Sequence, residues 1–478
     1  MSNKTLRQQT KIGLYWRFAD QFAGYGMQFL VGIVMARLLS PSDYGITALP
    51  AVFIAVAHTF QTCGFGAALI RKKDLSEKDL STAFYYSIAV GITSYLVLFI
   101  AAPWIADFYK TPVLTSLIRV TALSFLWGPL STPQSVLMNR KLDFKTPTKI
   151  HVVCKIFSGI VGIVMAYMGY GLWSLVVTGV LTSILSTILN WFAIKWIPKT
   201  GFSKESFKYL WGFGNKIMLS ALLNNFYSSI TPLFVGKVYS PAELGIYNRA
   251  AGYANLPSKN VSVTLESVTY PVLSKMQDDD ERLANNYRKM LRVSAFVVFP
   301  LMMLLSALAR PLVIVMITAK WEACIILLQI ICFDVMWYPI HAINLNLLKV
   351  KGRTDLFFRL EIIKKIVGLL MLIITLPMGL VALCIGRVCF SLLSLAVNTY
   401  YTGKLIRIGF WKQIGDISPT LLLGSAMFIA VQSFLFIIDN MWIQIIGGGI
   451  IGTVVYLGAS HLMKFEELKE VFFLLKRK

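Results

Sequence analysis

The chain has 478 residues, 56% of them hydrophobic and 14% charged, with a formal net charge of +23. A soluble domain carries about a quarter charged residues, so soluble enzymes and nucleic-acid-binding domains are excluded. Apolar runs recur from end to end, each near the ~20 residues a helix needs to cross a bilayer. The ~10-residue alternating segments of a strand barrel do not occur. The pattern predicts an all-α polytopic membrane protein.

Fourteen spans are expected, at roughly 12–38, 44–70, 81–105, 113–138, 146–168, 171–194, 210–236, 244–272, 289–311, 322–348, 356–377, 379–402, 417–438 and 441–463. The first follows the basic start Lys4, Arg7 and Lys11 and is too long for a signal-peptide core, so no cleavable leader is expected. Basic residues collect in alternate loops. One set holds Arg71, Lys72, Lys73 and Lys78, then Arg140, Lys141, Lys145 and Lys149, then Lys195, Lys199, Lys204 and Lys208. It continues through Lys275, Arg282, Arg288, Lys289 and Arg292, through Lys349, Lys351 and Arg353, to Lys404, Arg407 and Lys412 and the tail Lys476–Lys478. The other loops hold little beyond Arg37, Lys110, Lys237 and Lys320. This bias predicts that the basic loops and both termini lie on the cytoplasmic side of the membrane. The acidic run Asp278–Glu281 lacks the spaced ligands of a calcium loop and reads as a solvated turn. The six cysteines fit no zinc spacing, no GxxxxGK[ST] loop is present, and no metal or cofactor is expected.

The chain matches itself. Residues 36–46 read ARLLSPSDYGI and residues 236–246 read GKVYSPAELGI, at a constant offset. Ser40-Pro41 aligns with Ser240-Pro241, Asp43 with Glu243, and Gly45-Ile46 with Gly245-Ile246. In each copy a span closes on a cation, turns through Ser-Pro and opens the next helix at an acid. Serine and the acid suit the helix cap, and proline suits its first turn. The copies close the first and seventh spans. Six helices per repeat keep the two copies in one orientation, the parallel kind of transporter repeat. The expected organisation is an N-terminal lobe at 1–200, a C-terminal lobe at 201–403, and a last helix pair with a basic tail at 404–478.

The opening hairpin FLVGIVMARLLSPSDYGITAL, the segment Gly64–Ile70 and the turn GYGLWSLVV at 169–177 resemble the polysaccharide transport family. These are lipid-linked oligosaccharide flippases of the MOP exporter superfamily, and the sequence is nearest the colanic-acid and teichuronic-acid exporter type. The resemblance implies a two-lobed transporter of twelve core helices plus two. It also implies an undecaprenyl-diphosphate-linked repeat unit as cargo, a cationic cavity, membrane lipid as surroundings, and a polysaccharide polymerase and other assembly proteins as partners. The matching motifs are scaffold motifs and do not carry over a sugar site.

Ionisable side chains inside spans are costly and mark pathways or sites. Here they are mostly cations: Arg17, Arg119, Lys155, Lys216, Arg249, Lys365 and Arg387, with Asp20, Glu266 and Asp334 as charge or coupling partners. Arg17 and Lys216 occupy similar places in the two repeats and either face a common cavity or snorkel to the interface. Arg17 with Asp20, and Glu361 with Lys365, have spacings that allow mutual neutralisation. Asp334 either pairs with a cation or carries a coupling proton. Competing readings are a drug or cation antiporter of the same superfamily, which would want an acidic cavity, and a membrane enzyme. No catalytic constellation stands in a sizeable loop, so a non-enzyme is expected.

Overall fold

The computed structural model describes Trp16, Gly24 and residues 26–476, except the side chains of 263–268 and of residues beyond 471. Among the described residues every regular element is helical. Nine helices among the described residues are long and apolar enough to cross a membrane. The other expected spans that are described, at 114–140, 204–238, 241–274 and 354–375, are helical too, but broken or richer in polar residues. The chain divides into two compact units, residues 1–245 and 246–478.

In the first unit, the core gathers Cys63, Phe65, Leu69, Leu80, Phe84, Trp196, Leu210 and Met218. The helices Ala51–Thr62 and Phe65–Arg71 are parted by Cys63 and Gly64, both left-handed at φ 38° and 66°. A Cβ on Gly64 would stand 2.9 Å from the carbonyl oxygen of Gly214, and one on Gly214 would stand 2.4 Å from that of Cys63. The break therefore lies backbone to backbone against the helix Lys204–Val238, which is why both positions lack a side chain.

The region expected as one span at 113–138 is four short pieces: Leu114–Ala122, Ser124–Trp127, a 3₁₀ turn Gly128–Ser131 and Thr132–Arg140. Pro129 and Pro133 remove the amide hydrogens that would continue it. Carbonyls left over inside a membrane need other donors. The helix Leu172–Ala193 supplies them: Thr187 donates to the Trp127 carbonyl at 2.9 Å, the Trp191 indole to Leu130 at 2.8 Å, and Ser183 to Ser124 at 3.3 Å. At the basic end, the Arg140 guanidinium caps the helix Phe65–Arg71 by donating to the carbonyls of Leu69, Ile70, Lys72 and Lys73. Asp79 is fully buried there, accepting from Lys72 at 2.8 Å and sharing a capping box with Ser76.

The two repeated turns are built alike. Ser40 donates its backbone N–H to Asp43 at 2.9 Å, and Ser240 donates its own to Glu243 at 2.9 Å. Each serine hydroxyl in turn accepts from the backbone N–H of its acid, at 3.2 and 3.3 Å. These are reciprocal capping boxes with proline in the first turn.

The second unit repeats the interrupted helix. Cys324–Val335 and Tyr338–Val350 are separated at Met336–Trp337, ahead of Pro339. Again neighbouring hydroxyls take the freed carbonyls: Ser258 donates to Val335 at 2.7 Å and Ser391 to Asp334 at 3.2 Å. The last two long helices, Phe410–Ile437 and Met441–Leu462, are seated through glycines on the hairpin arm Asp280–Ala307 and its extension. A Cβ on Gly424 would meet Met303 Sδ at 2.6 Å, one on Gly448 would meet Leu308 at 2.8 Å, and one on Gly452 would meet Leu304 at 2.7 Å. The Tyr456 hydroxyl donates to the Phe296 carbonyl at 2.8 Å. Asp279 caps the helix Asp280–Ala307, and Asp280 pairs with Lys351 at 2.5 Å, so part of the acidic run is structural.

Candidate substrate site

In the second unit, helix Leu380–Ile406 presents Arg387, Ser391, Ser394, Asn398 and Thr402 at spacings of three and four, a single polar stripe on an otherwise apolar rod. At one end the Arg387 guanidinium grips Asp334 Oδ2 through Nε at 2.9 Å and through a second nitrogen at 2.7 Å. A third contact reaches the Tyr247 hydroxyl at 2.5 Å. Asp334 keeps 13% of its side chain exposed and Arg387 keeps 34%, so the acid is covered while one face of the cation stays open. A planar guanidinium with spare donors suits a phosphate oxygen. Further along the stripe, His341 is within hydrogen-bond distance of Ser391 through Nε2, at 3.1 Å, and of Asn398 through Nδ1, at 3.3 Å. Asn344, Thr402 and Gln413 then form a closed buried cluster.

The other expected residues are distributed as follows. Arg249, two turns into the helix Pro241–Ser274, lies between two aromatic faces, 5.3 Å from the Trp321 ring and 5.6 Å from that of Tyr253. Lys365 is half-buried, and Glu361 pairs with Lys364 at 2.5 Å, not with Lys365 as the spacing suggested. Both pairings suit a helix; the i, i+3 pair is the one formed. In the first unit, Lys155 donates to the Gly24 carbonyl at 3.1 Å and so reaches the first span from the helix Lys145–Tyr167. An ammonium has three donors, so this contact leaves charge to offer. Arg119 stacks on the Phe99 ring at 4.2 Å. Lys216 is exposed on the helix Lys204–Val238. Arg17, Asp20 and the side chain of Glu266 lie outside the described residues.

The structure thus joins Asp334 to Arg387, one of the two roles the sequence left open for the acid. Tyr247 was not foreseen. Its signal lay in the repeat: it stands where the first copy has Thr47, directly after the shared Gly-Ile. No group of three or more His, Cys, Asp or Glu residues that would hold a metal occurs among the described residues.

An all-helical bundle of long apolar helices, some of them interrupted and some carrying cations, defines a polytopic membrane protein. The family described as polysaccharide biosynthesis protein matches residues 34–326, and the chain belongs to it. It is 24% identical over 356 residues to the teichuronic acid biosynthesis protein TuaB of Bacillus subtilis strain 168, covering 74% of each chain. It is also 24% identical over 401 residues to the lipopolysaccharide biosynthesis protein WzxC of Escherichia coli strain K12, covering 83% of this chain and 80% of that one. The fold is shared with the solved lipid II flippase MurJ in an inward closed conformation, with a TM-score of 0.74 at 18% identity over 95% of this chain and 99% of that one.

Proposed function

We infer that the chain is a flippase, not an enzyme, and moves a lipid-linked oligosaccharide across the membrane for surface polysaccharide assembly. The observation that carries this reading is the family match over residues 34–326. Its relatives are named for teichuronic acid and lipopolysaccharide biosynthesis, and its fold neighbour is named a lipid II flippase. The intramembrane charges support it: the cargo end of such a lipid is a dense anion, and taking it out of water requires compensating donors.

The finer reading is as follows. The cargo is an undecaprenyl-diphosphate-linked repeat unit. Arg387, Lys155, Arg249, Lys216, Arg119, Lys365 and Arg17 supply cations to its path, with Asp334, Asp20 and Glu266 as partners that hold or balance them. Fourteen spans form two six-helix lobes, with both termini cytoplasmic, and the lobes alternate access. The matching interruptions at 114–140 and 324–350 favour such a repeat. Polymerase and other assembly proteins act next on the delivered lipid.

The test is deletion in the native host, followed by extraction of lipid-linked sugars and assay of leaflet sidedness with an impermeant sugar-modifying enzyme. Accumulation on the cytoplasmic side with loss of surface polymer is expected. Unchanged lipid pools with a fall in drug or cation resistance would replace this reading with that of an antiporter.

A further inference from the structure

Away from the polar stripe, the second unit carries an open cleft of about 480 Å³ at the end assigned to the cytoplasm by its basic loops. Asn285 and Arg288 line one wall, and Arg407, Lys412 and Asp416 line the other. Arg288 is committed: it makes two bonds to Asp416, at 2.8 and 2.6 Å, and that carboxylate is 5% exposed. Arg407 and Lys412 are both exposed, and the contact Lys412 makes is with a neutral acceptor, the Arg407 carbonyl at 3.1 Å. Arg407 has a left-handed backbone, φ 58°, which L residues adopt at a cost. Three cations against one carboxylate leave the cleft positive.

Two further features point the same way. The helix Phe410–Ile437 starts next to the cleft-lining Ile408, on Gly409, which offers no side-chain cap, so the positive end of the helix lies beside the cleft. Beside it Trp411 is 82% exposed, with the Phe410 ring 5.3 Å away. An exposed tryptophan at a helix end belongs at the headgroup level of a bilayer, and basic pockets at that level attract anionic lipid.

We propose that this cleft binds the phosphate of an anionic phospholipid of the cytoplasmic leaflet. The phosphodiester lies between Arg407 and Lys412, and the acyl chains run past Trp411 into the bilayer. The proposal rests on the membrane orientation given above and is independent of the cargo. Free phosphate shares the anionic chemistry; the exposed tryptophan favours the lipid.

The test uses the full chain, delipidated and placed in nanodiscs of phosphatidylcholine with or without phosphatidylglycerol. Expected are phosphatidylglycerol retained through purification, a higher Tm with it, and a loss of affinity of about tenfold or more in R407Q/K412Q. Trp411→Ala should give a smaller loss. A Tm gain from phosphatidylglycerol that is equal in the parent and the double variant overturns the assignment to this cleft. Equal stabilisation by millimolar inorganic phosphate overturns the assignment to lipid. Neither result bears on transport, which is read separately from the leaflet assay.

Discussion

Gly45 and Gly245, equivalent residues of the two repeated turns, lie against each other. A Cβ on Gly245 would stand 3.0 Å from the Gly45 nitrogen and 2.0 Å from the Pro41 carbonyl oxygen. A Cβ on Gly45 would stand 1.6 Å from the Pro241 carbonyl oxygen. The contact is reciprocal: each glycine makes room for the other copy's proline. Both approach backbone atoms, so no side-chain rotation relieves a methyl group. Gly45→Ala and Gly245→Ala should each destabilise the protein by about 1–3 kcal/mol. Because either one separates the same contact, the double variant should lose much less than the sum. Thermal unfolding of the purified variants checks this; an unchanged Tm in both singles would show that the turns do not meet in the populated state.

Arg387 and Asp334 should behave as a coupled pair. Asp334→Ala removes the acid that holds the Arg387 guanidinium in place and should cost ten-fold or more in delivered lipid-linked sugar, on the order of the 1–3 kcal/mol seen for coupled groups. Arg387→Lys should not restore transport, because an ammonium cannot hold Asp334 and Tyr247 together. Tyr247→Phe should be milder than either. A double-mutant cycle on surface polymer, normalised to protein abundance, reads the coupling; additive effects would sever the pair.

Lys155→Gln should lower transport about ten-fold while leaving abundance near normal, because its contact is one hydrogen bond of about 1 kcal/mol. Lys155→Arg should retain most activity. Equal losses of abundance and transport would make Lys155 a strut for the first span and remove it from the cargo path.

Asp79→Ala should act on the fold and not on the cargo. The carboxylate is fully buried between Lys72 and the Ser76 cap. Its loss removes a cap worth about 1 kcal/mol and leaves Lys72 without its acid. The expected result is a drop in membrane abundance with normal transport per molecule, measured by quantitative blotting beside the sugar assay.

Much of this was legible where causes are local. Ser40, Pro41 and Asp43 announce a helix start by residue type alone, and the structure builds the same cap at Ser240 and Glu243. Hydropathy located nine spans that are long apolar helices among the described residues. The interruption at Cys63–Gly64 was not legible, because its cause is the approach of Gly214, about 150 residues on. Pro129, Pro133 and Pro339 by themselves indicate no more than bends, whereas they accompany full breaks whose carbonyls depend on Thr187, Trp191 and Ser391 from other helices. The intramembrane charges could be named from the sequence, but pairing needs three dimensions: Asp334 and Arg387 are far apart in sequence, and Glu361 took Lys364 in place of Lys365. The reciprocity of Gly45 and Gly245 was equally hidden, since a self-match says that two segments are alike and not that they touch.

The helix Lys204–Val238 lies beyond the N-terminal lobe expected at 1–200, yet it completes the first unit's core through Leu210, Met218 and Gly214. The boundary expected at residue 200 is therefore not a boundary between folded bodies. During synthesis the first unit cannot close when the sixth span leaves the ribosome, because Cys63 and Phe65 still await their cover. A chain severed near residue 203 should yield an N-terminal fragment that is degraded when made alone, whereas a cut after the second turn should spare it. Biogenesis of the first unit therefore waits on a helix that follows all six of the spans expected to make it.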